Sequence, residues 1–123
     1  MQRLVIYGSR SLSLSTHTIE KAVMERWGVL PSAVIGGKAR GPDTAGERWA
    51  KLRGIPFLPF PADWDRYGKS AGAIRNRQMA SACDWALGFW DGVSRGTSDM
   101  TAALLARGIE PLVIVRSPWD THI

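Results

Sequence analysis

Residues 4–10 read LVIYGSR, so that four consecutive apolar residues lead directly into a short polar turn that contains glycine. A short apolar run rich in β-branched and aromatic residues is typical of a strand buried on both faces of a sheet. Later runs along the chain have the same character. The predicted strands are Leu4–Tyr7, Ala33–Ile35, Phe57–Phe60, Trp85–Trp90 and Leu112–Val115.

Helical patterns separate these strands, because apolar residues recur there at intervals of three or four. These residues are Ile19, Ala22, Val23, Trp27 and Leu30 in the first helix and Ala45, Trp49 and Leu52 in the second. Thr44-Ala-Gly-Glu47 has the form of a capping box, which predicts that the second helix begins there. A third helix is expected from about Gly72 to Ala82, and a fourth carries Met100, Ala103 and Leu104 and ends at Gly108.

Strands that alternate with helices in this way indicate a parallel sheet with right-handed crossovers. We therefore predict an α/β fold: a single Rossmann-like three-layer domain over residues 1–123, with a parallel sheet of about five strands and helices on both faces. The 123 residues are 45% apolar and 22% charged, a composition that excludes a disordered or collagen-like chain.

Other classes of protein are excluded by features that the sequence lacks. It has no run of about 18 apolar residues, which excludes a membrane-spanning helix and predicts no membrane partner. The first ten residues do not have the pattern of a secretory signal. The single cysteine, Cys83, cannot form an internal disulfide framework or a multi-cysteine metal site. We expect a cytoplasmic protein that uses no cofactor and no metal ion.

The charge of the chain is positive and unevenly distributed. The formal net charge is +5, and the stretch from Lys38 to Arg77 alone holds nine basic and four acidic residues. Most of these side chains fit an ordinary solvated surface. Arginine outnumbers lysine, however, and its planar guanidinium suits bidentate contacts with phosphate or carboxylate groups.

The segments that follow the predicted strands are the expected location of a ligand site, because ligands of such sheets bind outside the carboxyl ends of the strands. Two of these segments, residues 36–43 and 91–97, join a strand to a helix through glycines and an arginine, which suits an anion. The candidate phosphate-binding or ligand-binding residues from these strand ends are Gly8, Ser9, Arg10, Gly36, Gly37, Arg40, Gly41, Asp43, Trp64, Gly92, Ser94, Arg95, Gly96 and Thr97.

Two of these candidates need separate comment. Asp43 either caps the second helix or contacts the ligand, and the sequence leaves both readings open. Trp64 is the candidate residue for stacking on a base, because the other tryptophans are expected in the core (Trp27, Trp49, Trp85 and Trp90) or in the C-terminal tail (Trp119). No Walker A sequence is present and no G-x-G-x-x-G follows the first strand, which disfavours conventional ATPases and NAD dehydrogenases.

Five blocks in order carry a family resemblance: Gly8-Ser9-Arg10, Gly36-Gly37-x-x-Arg40-Gly41-x-Asp43, Pro61-Ala62-Asp63-Trp64, Gly68-Lys69-x-x-Gly72-x-x-Arg75-Asn76 and Gly92-x-x-Arg95-Gly96-Thr97-x-x-Met100. Over essentially the whole chain they resemble the YspA/YpsA-related SLOG family, formerly grouped as a domain of unknown function and often seen in phages and prophages. The resemblance implies a Rossmann-like fold that binds nucleotides or nucleotide-derived ligands at its glycine-rich loops. It adds Lys69, Arg75 and Asn76 to the candidate residues, although these charges also fit an ordinary surface.

The wider SLOG group includes phosphoribohydrolases of the "lonely guy" type, whose P-G-G-x-G-T-x-x-E motif supplies a glutamate for N-glycosidic cleavage. An alignment on Gly96-Thr97 puts Met100 at the position of that glutamate, and a thioether cannot replace a carboxylate. Asp43 and Asp99 remain as candidate acids, so the sequence leaves enzymatic activity open. His17 and His122 lie outside the predicted crevice, and Cys83 is expected in the core rather than as a nucleophile.

Three functions remain for the sequence. The first is a module that senses or sequesters a nucleotide-type small molecule in a phage or prophage. The second is a hydrolase or transferase that acts on a nucleoside phosphate. The third is a nucleic-acid-binding protein that uses the basic stretch and the tryptophans. A homo-oligomer is a further expectation, because related folds commonly dimerise through helix faces.

Overall fold

The structure is a computed structural model that describes residues 2–37 and 41–117. Its strands are β1 (Arg3–Gly8), β2 (Ala33–Gly36), β3 (Phe57–Pro59), β4 (Trp85–Trp90) and β5 (Leu112–Val115). Its α-helices are α1 (Thr16–Trp27), α2 (Pro42–Leu52), α3 (Trp64–Tyr67), α4 (Ala71–Ala82) and α5 (Arg95–Ala106), with a 3-10 turn at Gly68–Ser70. The five predicted strands and the four predicted helices are therefore confirmed, and the short helix α3 is an addition to them.

All five strands are parallel and lie in the order β3-β2-β1-β4-β5. The chain builds outward from β1 to β2 and β3, and then returns to the other side of β1 to add β4 and β5. In the second half of the sheet, Tyr7 of β1 pairs with Gly88 of β4. The strand order thus reverses between β1 and β4, and in such sheets a crevice opens at the carboxyl ends of the two strands.

Helices cover both faces of the sheet, as predicted, and alternate residues of β1 point to the two faces. Leu4 and Ile6 belong to one apolar cluster with residues of α1 and α2. Val5 and Tyr7 belong to the other, with residues of α4 and α5. This alternation follows from the two-residue period of a strand, and it makes β1 the centre of three layers.

The second helix begins three residues earlier than the capping box predicts, because that pattern makes Thr44 the N-cap. Pro42 is its first residue and Gly41 its N-cap, which has φ +77°. Proline is favoured at the first helical position because its φ is already helical and its missing N–H would have no partner there. The predicted start at Thr44 is therefore wrong, and so is the reading of Asp43 as the helix cap.

Two further sequence expectations also need correction. Leu30 lies beyond the first helix, because Gly28 adopts the left-handed conformation (φ 73°) and its N–H closes the last turn on the carbonyl of Met24. Burial on both faces holds for β1, β2 and β4 but fails at the sheet edges, where Leu58 of β3 is exposed and Val115 of β5 is 63% exposed. An edge strand has one neighbour and less cover, so its apolar run overstates its burial.

The tryptophans expected in the core are wholly or partly buried. Trp49 is fully buried, whereas Trp27 and Trp85 stack with ring centroids 5.0 Å apart and pack against the core from its margin. Trp90 is half-buried and donates its indole N–H to the carbonyl of Ser94 (3.0 Å). Trp119 lies outside the described residues. Among the helices that the structure describes, none is long and apolar enough to cross a membrane.

A close approach between the central strands predicts the effect of one substitution. A methyl group at Gly88 would lie 2.5 Å from Cζ of the buried Tyr7 ring. We expect Gly88→Ala to lower the free energy of unfolding by about 1–3 kcal/mol, as overpacked cores do. Urea unfolding would measure the loss. The double variant with Tyr7→Leu should lose less than the sum of the single changes, and strictly additive losses would contradict this explanation.

Candidate functional site

A cavity of about 580 Å³ opens where the strand order reverses. Its floor is the end of β1, and its walls are α4, the loop and first turns of α5, the β1–α1 loop and the start of α2. Ten of the predicted binding residues line it: Gly8, Arg10, Asp43, Trp64, Arg75, Asn76, Ser94, Arg95, Gly96 and Thr97. Residues from five separate segments of the chain therefore converge on one space.

The other predicted binding residues lie outside the cavity lining. Ser9 is buried beneath it, Lys69 is exposed on the 3-10 turn, and Gly36 is the last residue of β2. The remaining glycines lie in the adjoining loops: Gly37, Gly41 and Gly92. Arg40 lies outside the described residues. The two candidate acids, Asp43 and Asp99, both line the cavity, and Asp43 is 6% exposed.

Asp91, which follows β4, holds the β4–α5 loop in shape. Its Oδ1 accepts hydrogen bonds from the backbone N–H groups of Val93 (3.0 Å) and Ser94 (2.8 Å), and its Oδ2 accepts one from the Ser11 hydroxyl (2.8 Å). These donors favour the charged form, so they lower the pKa of Asp91 to about 2, with the Val93 N–H contributing most. The carboxylate therefore ties the loop after β4 to the loop after β1.

Ser9 makes a second connection between the same two loops. Its Oγ accepts a hydrogen bond from the backbone N–H of Asp91 (3.0 Å) and lies 3.1 Å from Oγ1 of Thr97 at hydrogen-bonding distance. Ser9 and Thr97 are both buried, so these bonds satisfy polar groups that water does not reach. Ser9 thus supports the site from beneath.

The N-terminus of α5 faces the cavity. Ser94 is its N-cap and accepts a hydrogen bond from the N–H of Thr97 (3.3 Å), while Arg95 and Gly96 form its first turn. The N–H groups of a first turn have no partner within the helix and attract anions. Within the described part of the chain, the Arg95 side chain makes no hydrogen bond or ion pair, and it is exposed beside this turn.

Asn76 on α4 is 6% exposed and connects two charged residues of the cavity. Its amide oxygen accepts a hydrogen bond from Nε of Arg75 (3.2 Å). Its amide nitrogen donates to Oδ2 of Asp99 (2.9 Å) and to the carbonyl of Gly96 (3.3 Å). A single buried amide therefore orients a cation and a carboxylate and joins α4 to the first turn of α5.

Arg75 lies between the loop after β2 and the middle of the cavity. One guanidinium nitrogen donates to the carbonyl of Gly37 (2.7 Å). Burial lowers the pKa of Arg75 from its ordinary value, the charge of Asp43 opposes this, and the charge of Arg10 adds to it. Arginine stays protonated despite such a shift, so Arg10 and Arg75 are two neighbouring positive charges on one cavity.

The sequence did not identify several residues that line the cavity. The sequence predicts Tyr7 only as a strand residue, yet Tyr7 lines the floor of the cavity. Its hydroxyl lies 2.8 Å from Oγ1 of Thr101, and burial raises the pKa of Tyr7 to about 12. Ser11 and Met79 carry no local signal of a site. Asp91 could have been found, because an aspartate before Gly92 and Ser94 is typical of a side chain that bonds the backbone of a turn.

The remaining catalytic candidates lie apart from the cavity. His17 lies on α1, in a separate groove beside β5, and His122 lies outside the described residues. Cys83 is buried, and burial raises the pKa of its thiol to about 11, which disfavours a thiolate nucleophile. Among residues 2–37 and 41–117, no group of three or more His, Cys, Asp or Glu side chains is placed to hold a metal ion.

The strand order and the cavity define a Rossmann-like protein with its candidate site at the reversal of strand order. Comparison with known proteins gives the family: the chain belongs to the YspA, cpYpsA-related SLOG family, whose model matches residues 3–67. The chain is also 37% identical over 105 residues to the Gene 61 protein of Mycobacterium phage D29. The aligned region covers 79% of this chain and 83% of the phage protein. The match to the family model ends before α4 and α5, which form the other half of the cavity.

The bonds of Asp91 predict a pH-dependent contribution to stability. Its pKa of about 2 in the folded protein lies below the ordinary value of 3.8, so the charged carboxylate stabilises the fold above pH 4. That contribution is lost as the pH falls toward 2. We expect Asp91→Asn to be less stable than the parent at pH 7, with the difference shrinking between pH 4 and pH 2.

Urea unfolding at a series of pH values would measure this difference. Asp65→Asn is the control, because Asp65 is an exposed carboxylate on α3 outside the loop network. An Asp91→Asn loss that is the same at pH 2 and pH 7 would contradict the assigned role of the carboxylate.

Proposed function

We propose that this protein binds a nucleotide or a nucleotide-derived small molecule in the cavity between β1 and β4, and that it senses or sequesters that ligand. One observation carries the proposal: a single cavity combines three arginines, two candidate acceptor carboxylates and an exposed indole. Membership of the SLOG family agrees with this reading, and the similarity to a protein of a mycobacteriophage supports a phage-associated role.

The phosphate group is best accommodated at the first turn of α5. The Arg95 side chain has no hydrogen-bond or ion-pair partner among the described residues, and the N–H groups of the turn add partial positive charge. Arg10 and Arg75 supply further charge across the cavity. Charge-assisted hydrogen bonds from arginine to phosphate are among the strongest polar contacts in proteins.

The base and the sugar have separate candidates. Trp64 is 53% exposed on the short helix α3 and faces the cavity, so its ring is available for stacking on a base. Asp43 and Asp99 offer carboxylate oxygens that can accept hydrogen bonds from ribose hydroxyls, as acidic residues do in other Rossmann-like sites. A nucleotide needs cations for its phosphate, an aromatic ring for its base and carboxylates for its ribose, whereas an inorganic anion needs only the cations.

The alternative of nucleic-acid binding has less support from the cavity. Among the described residues that line it, the three arginines are matched in number by three aspartates, Asp43, Asp91 and Asp99, which would repel a continuous phosphate backbone. Trp64 is the only indole in that described lining, whereas a strand-binding surface needs several aromatic rings. The ratio of charges and the single indole both favour one small ligand.

Cleavage of a nucleoside phosphate is the second candidate function, and one observation favours it. The carboxylate of Asp99 lies in the cavity and is held by Asn76, so it could stabilise positive charge that develops on a ribose. Met100, at the position that the phosphoribohydrolase motif gives to glutamate, is 1% exposed among the apolar residues of α4 and α5. A carboxylate is therefore available one residue away from the position in the motif.

The phosphate subsite predicts that Arg95→Ala weakens the binding of nucleoside 5′-monophosphates by about 2 kcal/mol, the scale of a charge-assisted contact. The thermal midpoint of the free protein should change little, because Arg95 holds no other described group in place. Titration calorimetry would measure the affinity. Arg107→Ala is the matched control, since Arg107 is exposed at the opposite end of α5. Equal affinity in both variants would remove Arg95 from the site.

Binding without turnover predicts that nucleoside 5′-monophosphates are recovered intact after incubation with the protein. Chromatography and mass spectrometry would detect any free base or ribose phosphate. Asp84→Asn is the control, because Asp84 directly precedes β4 and so lies at the end of the sheet opposite the cavity. If the parent protein releases base, and Asp99→Asn loses this activity while Asp84→Asn keeps it, the protein is a hydrolase and not a sensor. The control removes a carboxylate that lies outside the cavity, where it bonds Arg3.

A further inference from the structure

Most glycines of this chain have a reason within the fold. All thirteen lie in the described residues. Six have a positive φ that other residues rarely adopt: Gly28, Gly41, Gly54, Gly68, Gly92 and Gly108. Five more have neighbours so close that a methyl group would lie within about 3.0 Å of another atom: Gly8, Gly36, Gly37, Gly46 and Gly88. Conformation or packing therefore explains ten of these, and Gly37 lies against the guanidinium of Arg75, itself a residue of the cavity.

Gly72 and Gly96 have neither reason. Both lie in the first turn of a helix, Gly72 in α4 and Gly96 in α5, and neither has a positive φ. A methyl group at Gly96 would meet no atom within 4 Å, and one at Gly72 would meet only Cη2 of Trp64, at an ordinary 3.7 Å. Since glycine weakens a helix relative to alanine, the free protein gains nothing from either glycine.

These two glycines share one location, because both line the cavity of the candidate site. Elsewhere in the helices, Gly46 of α2 is needed for packing, since a methyl group there would lie 3.0 Å from Ile6. The two glycines that the fold does not need therefore both line the cavity, whose third lining glycine, Gly8, is needed for packing. A glycine without a structural reason is expected where another molecule approaches the backbone closely.

We propose that the ligand contacts the main chain at Gly72 and Gly96, with its base over Gly72 against the indole of Trp64 and its phosphate at Gly96. This inference rests on the proposed function and assigns the ligand an orientation. The base belongs at Gly72 because Trp64, the exposed flat ring of the cavity, lies beside that glycine. The phosphate belongs at Gly96 because Arg95 and the first-turn N–H groups of α5 lie there.

The inference is tested by adding one methyl group at each position. Adenosine, guanosine, cytidine and uridine 5′-monophosphates are the nucleotide probes, and ribose 5-phosphate is the probe without a base. In Gly72→Ala, the best-bound nucleotide should lose at least about tenfold in affinity and ribose 5-phosphate less than about twofold. In Gly96→Ala, both probes should lose at least about tenfold. Titration calorimetry would measure each affinity.

Thermal unfolding separates a lost contact from a damaged fold. Both variants should melt at or above the midpoint of the parent, because alanine is the better helix residue and has space at both positions. Ser98→Ala is the control on α5, since Ser98 is exposed in the same helix and outside the cavity. It should leave both affinities unchanged.

The outcomes distinguish the inference from the proposed function. A parent protein that binds none of the probes would overturn the proposed function and the orientation with it. Nucleotide binding that Gly72→Ala leaves unchanged, or a loss in Gly72→Ala that is equal for nucleotide and ribose 5-phosphate, would overturn the orientation and leave nucleotide binding intact. A lower melting temperature in either variant would show that the glycine serves the fold, which would also overturn the inference.

Discussion

The parallel pairing of β1 with β4 is the constraint on which the rest of this structure depends. β1 also pairs with β2, and its alternate side chains enter both apolar clusters, so it is buried on every side. Because the chain adds strands to one side of β1 and then to the other, the connections leave the ends of β1 and β4 in opposite directions. The opening between them is a consequence of topology, and it forms whatever the loops contain.

The loops then determine what this opening can bind. Ser9 follows β1 and Asp91 follows β4, and the hydrogen bonds between them hold two loops that are more than eighty residues apart in sequence. Asn76 does the same for α4 and α5, since it orients Arg75 and Asp99 from a buried position. The charged groups of the cavity are therefore positioned by buried polar residues before any ligand arrives, which reduces the cost of ordering them on binding.

The sequence was sufficient to predict the sheet, because β1, β2 and β4 are continuous apolar runs and their glycine-containing ends mark the carboxyl edge. The sequence was less reliable where a local pattern competed with a nearby residue or depended on the position of a strand in the sheet. The capping box predicted a helix start at Thr44, but the helix begins at Pro42, and the apolar run of β5 did not show that this strand lies at an edge. Tyr7 could not be assigned to the cavity from sequence, because it stands in an apolar strand and belongs to a core cluster while it also lines the cavity.

The two halves of the cavity are built by different parts of the chain. The elements β1 through α3, which the family model covers, contribute Arg10, Asp43 and Trp64. The helices α4 and α5, which follow the end of that match, contribute Arg75 and Arg95. Because α4 and α5 pack against one face of the sheet, their cavity-facing residues can change without altering the pairing of β1 with its neighbours. Substitutions in these two helices are therefore a route by which the ligand preference of such a cavity can change while the fold is kept.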